Sequence, residues 1–370
     1  MQLFEQKSAC FGCAACEAAC PHSAISMVAD EEGFLYPSIN ADLCVDCGLC
    51  KEICPVGDSA GIRPATGMAF LAEETCRLGS SSGGAFPALV SAFWEQHPGA
   101  PVWGACLDET MTVVHRCVTT AEELPALQGS KYVQSDLGDT YRQILSQLKQ
   151  GLFVLFSGTP CQCAGLARLV EDYRAQLLLV DLVCNGVASP LAWKRYLSME
   201  EEKQGASVAA YAFRNRRYFM GRGISCVFAD GSVIQRSHPQ DLFAACYQRN
   251  LISRRSCYHC PYTCLERTAD ITLGDFHGLE KMDPAFSDSG ASLVLPHTIL
   301  GLSYCDRFLQ SGTSRAFAAE QCLQPRLEAP PKESPLRKFI LRDLLTQPPQ
   351  VFLMKYQKLL FAPTPEKVPE

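Results

Sequence analysis

Cys10-Phe11-Gly12-Cys13-Ala14-Ala15-Cys16-Glu17-Ala18-Ala19-Cys20-Pro21 is the stretch that decides the architecture of this chain. Its spacing, C-x2-C-x2-C-x3-C-P, returns at Cys44, Cys47, Cys50 and Cys54-Pro55. Three thiolates two residues apart wrap one cubane, and the fourth cannot turn back to close it. In this pattern the fourth cysteine of each run ligates the other cluster. The spacing therefore predicts one [4Fe-4S] cluster on Cys10, Cys13, Cys16 and Cys54, and a second on Cys44, Cys47, Cys50 and Cys20. The duplication is an internal repeat with a pseudo-two-fold relation. The competing reading is a pair of zinc knuckles, but zinc sites use paired cysteines, not quartets closed by proline. Low-potential clusters release electrons readily, so the module suggests a relay or an electron entry port.

Outward from this module, the bulk composition sets limits. The chain has 370 residues, 47% of them apolar, enough for more than one core. No 18-residue apolar run exists, so no membrane span is expected. Met1-Gln2-Leu3-Phe4-Glu5 lacks the basic and apolar regions of a signal peptide, and a cytoplasmic location is expected. In that setting 21 cysteines point to metal or redox chemistry rather than to disulfides. Residues 1–62 carry nine acidic residues against Lys7 and Lys51, a net of −7 in a chain of net −6. An acidic head on a near-neutral body argues against nucleic acid as a partner.

The head is expected to end at residue 62, within a linker of small residues, Gly and Pro from Ser59 to Thr66. A body over 63–325 and a Pro-rich tail over 326–370 come after it. In the tail, Phe352 to Phe361 reads as an amphipathic helix docked on the body. Gly79-Ser80-Ser81-Ser82-Gly83-Gly84-Ala85 reads as a loop opening a helix, either a phosphate cradle or a plain turn. Leu152–Phe156 and Leu177–Val183 are buried-strand runs, each followed by a helix, which implies a parallel crossover. Both strands then end at one sheet edge, where ligands bind in open α/β folds. Cys161 and Cys184, just past those strands, are expected to be neighbours; Cys163 reads as simply buried. With the Cys257-Tyr258-His259-Cys260 pair they supply four thiolates, for a third [4Fe-4S] cluster or a zinc ion. Cys264 and Cys163 remain open as substitutes. Cys76, Cys106, Cys117, Cys226, Cys246, Cys305 and Cys322 read as small buried hydrophobes. Arg214, Arg216, Arg217 and Arg222 with Tyr218 and Phe219 read as a solvated loop, the alternative being a grip on an anionic cofactor or substrate. Ala229-Asp230-Gly231-Ser232 reads as a hairpin turn.

Six segments in order carry a resemblance. They are Glu32-Gly33-Phe34-Leu35-Tyr36-Pro37, Ser81-Ser82-Gly83-Gly84, Gly129 to Ser135, Gly158-Thr159-Pro160-Cys161-Gln162, Asp181 to Gly186, and Ser256 to Cys260 with Arg267 and Ala269 to Phe276. The chain resembles the family of β-subunits of deazaflavin-coenzyme-dependent hydrogenases and dehydrogenases, in its bacterial form with a fused ferredoxin module. The resemblance implies an α+β or α/β chain, a small ferredoxin-like 2[4Fe-4S] domain fused to an α/β flavin and iron–sulfur domain. It further implies FAD beside a body cluster held by Cys161, Cys184, Cys257 and Cys260, which leaves Cys264 as an extra cysteine. Ser82, Gly83, Gly84, Lys131 and Tyr132 match segments that border the FAD. His277 stands where relatives often carry Trp. The resemblance thus implies an FAD-dependent iron–sulfur oxidoreductase, linked to ferredoxin, another redox protein or a deazaflavin coenzyme. The alternative is an electron-transfer subunit of a larger complex with no substrate of its own. No catalytic residue is assigned.

Overall fold

The computed structural model describes residues 3–57, 61–216, 223–286 and 290–361. The repeat seen in the cysteine runs is a repeat of backbone shape. Ala15–Ala19 (α1) holds Cys16, the third cysteine of the first run, and is entered through Ala14 at φ +59°. Ile25–Ala29 (β1) and Leu35–Ile39 (β2) pair antiparallel. Leu49–Glu52 (α2) holds Cys50, the third cysteine of the second run, and is entered through Gly48 at φ +81°. Two left-handed entries at equivalent positions bend the chain around each quartet.

The body begins with Thr66–Ala72 (β3), Glu74–Leu78 (α3) and Ala85–Gln96 (α4), then Val102–Leu107 (β4) and Val113–Val118 (β5). Thr140–Lys149 (α5), Val154–Ser157 (β6), Pro160–Leu169 (α6), Leu177–Leu182 (β7) and Pro190–Gln204 (α7) come after them. Next are Val208–Asn215 (β8), Gly223–Phe228 (β9), Val233–Ser237 (β10) and Leu242–Gln248 (α8). The chain returns through Ile271–Asp275 (β11), Leu279–Met282 (α9), Ser292–Pro296 (β12), Ile299–Phe308 (α10) and Gly312–Ala318 (β13). It closes with Pro325–Glu328 (α11), Arg337–Thr346 (α12) and Pro349–Leu360 (α13).

Among the described residues the main sheet has eight strands in the order β13-β3-β12-β11-β7-β6-β4-β5. Its centre, β11-β7-β6-β4, is parallel; the flanking pairs are antiparallel. The central strands are buried on both faces, so Val154-Leu155-Phe156 and Leu177 to Val180 are continuous apolar runs without alternation. One core packs α4 and α10 on one face of this sheet, and a second packs α5 and α6 on the other. A separate antiparallel sheet, β10-β9-β8, shares a core with α7, α8, α12 and α13. Phe352, Tyr356 and Leu360 of α13 are buried there. The Ala229–Ser232 segment is the β9–β10 turn.

Two features differ from a plain reading of the sequence. The segment after residue 60 is not a loose linker: Ile62 exchanges backbone hydrogen bonds with Arg267, and its carbonyl meets His297 Nδ1 at 2.9 Å. Arg214 and Arg216 are only partly exposed; Arg214 is paired with Asp275, and Arg216 donates to the Ser82 carbonyl. Arg217, Tyr218, Phe219 and Arg222 lie outside the described residues.

Candidate functional site

The thiols of the head fall into the two crossed sets. Burial pushes the Cys16 thiol up to about 12, with the charges of Cys10 and Cys54 adding to it and Cys50 a smaller contributor. Burial also raises the Cys50 thiol, and there the neighbours are Cys47 and Cys20. Cys20, Cys44, Cys47 and Cys50 line one small cavity of about 20 Å³. The fourth cysteine of each run thus stands with the other run. Thiols that oppose one another's ionisation are what a cationic metal cluster compensates, since binding displaces the protons.

The third set is built by three elements. Cys161 sits in the first turn of α6, which Pro160 opens and where Gln162 Oε1 accepts from the Thr159 amide at 2.9 Å. Cys184 lies just past β7, and Cys257 and Cys260 come from the turn at Arg255–His259. All four line a cavity of about 40 Å³, with Phe11 and Gly12 of the head in its wall. Burial raises the Cys184 thiol well above its usual range, and Cys257, Cys161 and Cys260 add to this in that order. Gly186, at φ +96°, passes so close that a Cβ there would lie 3.2 Å from Cys257 Cβ. Cys163 is fully buried and aimed at the Val180 carbonyl, and Cys264 donates to the Pro261 and Glu266 carbonyls at 3.3 Å. Neither lines the small cavity. Among the described residues no three His, Cys, Asp or Glu side chains gather tightly enough for a single metal ion.

Beside this set, at the C-terminal ends of the parallel strands, opens a cavity of about 520 Å³. That is within the range of cofactor pockets. Cys184 belongs to its wall, as do Thr159, Gln162 and Gly186, so the two cavities share one partition. Ser82, Gly84, Lys131 and Tyr132 line the large cavity. Gly83 does not: a Cβ on it would fall 2.1 Å from the Phe70 carbonyl oxygen, and it serves close packing against β3 and β12. Lys131 Nζ donates to the Gln128 and Ala126 carbonyls at 2.7 and 3.1 Å, and no salt bridge to it occurs among the described residues. Burial lowers its amine to about 8. Tyr132 stacks on Tyr247 with ring centroids 4.5 Å apart.

Several lining residues had no assigned role in the sequence. They include His115, stacked on Phe156 and lowered to about 4 by burial, Asp275, which pairs with Arg214, Tyr247, and Arg326 bound to Asn185. Asn185, Asp275 and Gln162 lay inside recognisable segments. His277, at the position where relatives often have Trp, also lines the cavity.

Head and body each match a known family. Residues 153–321 match the family model for the carboxy terminus of the beta subunit of coenzyme F420 hydrogenase/dehydrogenase, and residues 9–57 match a 4Fe-4S dicluster domain. The body of the chain is thus related to coenzyme F420 hydrogenase/dehydrogenase β-subunits, and the head to dicluster ferredoxin modules. These matches relate the chain to iron–sulfur, oxidoreductase-type electron-transfer subunits. The F subunit of the F420H2 dehydrogenase of Methanosarcina mazei is 26% identical over 190 residues, covering 48% of this chain and 54% of that relative. The chain thus spans about half the length of that relative. Pyruvate synthase subunit PorD of Thermotoga maritima is 38% identical over 74 residues, 20% of this chain and 68% of PorD. A chain from the F420-reducing [NiFe] hydrogenase complex of Methanosarcina barkeri superposes with a TM-score of 0.47 at 17% identity, covering 81% of this chain and 93% of that one. Among the described residues no helix is long and apolar enough to cross a membrane.

Proposed function

We propose that this chain is an FAD-dependent iron–sulfur oxidoreductase, exchanging electrons between a ferredoxin-type redox partner and an organic or deazaflavin-type acceptor. The observation that carries this is the shared partition: Cys184 faces both the four-thiol cavity and the 520 Å³ cavity. The donor sets suit three [4Fe-4S] clusters, on Cys10, Cys13, Cys16 and Cys54, on Cys20, Cys44, Cys47 and Cys50, and on Cys161, Cys184, Cys257 and Cys260. The large cavity suits FAD through the Lys131 ammonium, which has carbonyl partners and no salt bridge among the described residues, and through its small-residue wall at Ser82, Gly84, Gly129 and Gly158. When bound, the clusters would carry single electrons and the flavin would pair them.

The chain's own part is order and spacing. Gly165, one turn after Cys161 on the same face of α6, lies against Cys13 and Ala15; a Cβ there would be 3.0 Å from Cys13 Sγ. Four residues of helix rise about 6 Å, so head and body quartets meet across a single turn. The relatives are subunits of an F420H2 dehydrogenase and of a pyruvate synthase, which fits a chain that passes electrons within a larger redox system. Anaerobically purified protein is expected to hold about twelve irons and one FAD per chain, and to oxidise reduced ferredoxin against a deazaflavin or other organic acceptor. A chain with its iron that takes up no FAD sinks the flavin reading. One that binds FAD but turns over only inside a complex is instead a relay subunit.

A further inference from the structure

We infer that Arg254 is a positioning residue that raises the reduction potential of the cluster on Cys10, Cys13, Cys16 and Cys54. The inference rests on the cluster reading above and goes beyond it.

Arg254 is fully buried. Its backbone belongs to the body: its amide donates to the Val187 carbonyl at 2.9 Å, and its carbonyl accepts from Cys257 at 3.0 Å. Its side chain belongs to the head. Nε donates to the Cys10 carbonyl at 3.1 Å, Nη2 stands 3.8 Å from Cys10 Sγ, and Nη1 donates to Gln134 Oε1 at 3.2 Å. The guanidinium lies 4.0 Å over the Tyr36 ring and 5.6 Å from that of Phe34. Among the described residues it forms no ion pair with a carboxylate, whereas the other deeply buried arginines do: Arg337 with Glu32 and Arg267 beside Asp181.

A buried guanidinium without a counter-ion costs several kcal/mol. With clusters bound, the anions within its reach would be their thiolate ligands: Cys10 by direct contact, and Cys161 and Cys257, whose thiols burial pushes up and this charge pulls partly back. Reduction adds one negative charge to a cluster. A fixed cation and an N–H directed at a ligand sulfur stabilise the reduced form and raise the potential. Arg255, the neighbour, is partly exposed and reaches Glu32 instead, so it serves as an internal control.

The test is an anaerobic redox titration followed by electron paramagnetic resonance on the full chain. The relevant signal is assigned by its loss in Cys10→Ser. Arg254→Gln is expected to lower that midpoint by at least a tenfold change in the reduction equilibrium, about 59 mV for one electron. The signal lost in Cys47→Ser should not move. Arg254→Lys keeps charge but loses the planar fork, and should shift the midpoint the same way by less. Arg255→Gln should leave it in place. Full iron content with unmoved midpoints overturns the inference. Should Arg254→Gln lose the cluster, an unmoved midpoint in Arg254→Lys overturns it equally. Absence of iron and acid-labile sulfide from the wild-type chain overturns the cluster reading, and this inference with it.

Discussion

Lys131 shows how a single side chain ties the cavity's chemistry to pH. Its amine is lowered to about 8 by burial and has carbonyl partners and no salt bridge among the described residues. The charged form therefore prevails below that pH and is lost above it. Binding of an anionic cofactor to the apo-protein is expected to weaken about tenfold from pH 7 to pH 9, following the protonated fraction. Equilibrium titration with FAD at a series of pH values measures this, and Lys131→Met should give a weak, flat profile. A steep profile surviving in Lys131→Met would assign the titration to another group. The cysteines divide just as sharply. Cys184→Ala is expected to remove about four irons and to disturb flavin binding, because Cys184 borders both cavities. Cys264→Ala should keep both, its thiol being engaged with backbone carbonyls. Loss of iron in Cys264→Ala alone would reverse that assignment. At this scale the sequence was legible wherever spacing encodes geometry, as in the quartets, and silent where partners are remote. Arg254 meets Cys10 across 244 residues and Gln134 across 120, and nothing local announces either meeting.

Among the elements, α6 carries the most consequence, since Cys161 and Gly165 present one face to the body thiols and the head respectively. A methyl group at residue 165 would stand 3.0 Å from Cys13 Sγ and 3.1 Å from Ala15 Cβ. Gly165→Ala should therefore cost about 1–3 kcal/mol by overpacking, and Gly165→Val more, seen as lower thermal stability with the body iron retained. Unchanged stability in the valine variant would mean that the head does not rest on this helix. A second clamp joins the head to the C-terminal helices. Arg337 of α12 grips Glu32 with two hydrogen bonds of 2.9 and 2.7 Å, and the Ser189 hydroxyl, the N-cap of α7, donates to the Glu32 carbonyl. Glu32→Gln leaves the buried guanidinium without its charge partner and should cost about 3–5 kcal/mol, recovered in part by adding Arg337→Met. Denaturant unfolding of the four-member cycle checks this; additive losses would show no coupling. The β6-α6-β7 unit was legible because buried parallel strands are continuous apolar runs ended by turn residues. The antiparallel strands β3, β12 and β13 were not, since their pairing joins segments more than 200 residues apart. The separate sheet of β8, β9 and β10 showed only its one tight turn, because a half-buried strand pair leaves a weak pattern.

At the scale of the molecule the thiol sets adjoin in turn: the outer quartet with the exposed Cys47, the quartet of Cys10, Cys13, Cys16 and Cys54 that meets α6 at Gly165, and the body set beside the large cavity. The outer quartet faces solvent in a particular way. Leu43, Val45, Leu49 and Val56 are exposed around the outer quartet, and Asp42, Asp46 and Glu52 stand among them. An apolar centre with an acidic rim suits a transient redox partner whose docking face is apolar and basic. The net −7 of residues 1–62 deepens that preference, and bound clusters ligated by thiolates would add negative charge. An acidic ferredoxin would be repelled there in proportion to its own charge. Electron delivery from a donor with a basic docking face should accordingly slow as ionic strength rises, because screening at physiological salt acts beyond about 8 Å. With an acidic ferredoxin the rate should instead increase with salt, if it uses the same face. Stopped-flow reduction with each donor across an ionic-strength series separates the two. Asp42→Asn with Asp46→Asn should flatten both slopes, while Val45→Asp should slow both donors at every salt concentration by spoiling the apolar centre. If neither substitution changes the rate, electrons enter the chain elsewhere and the succession of thiol sets is not the path from solvent.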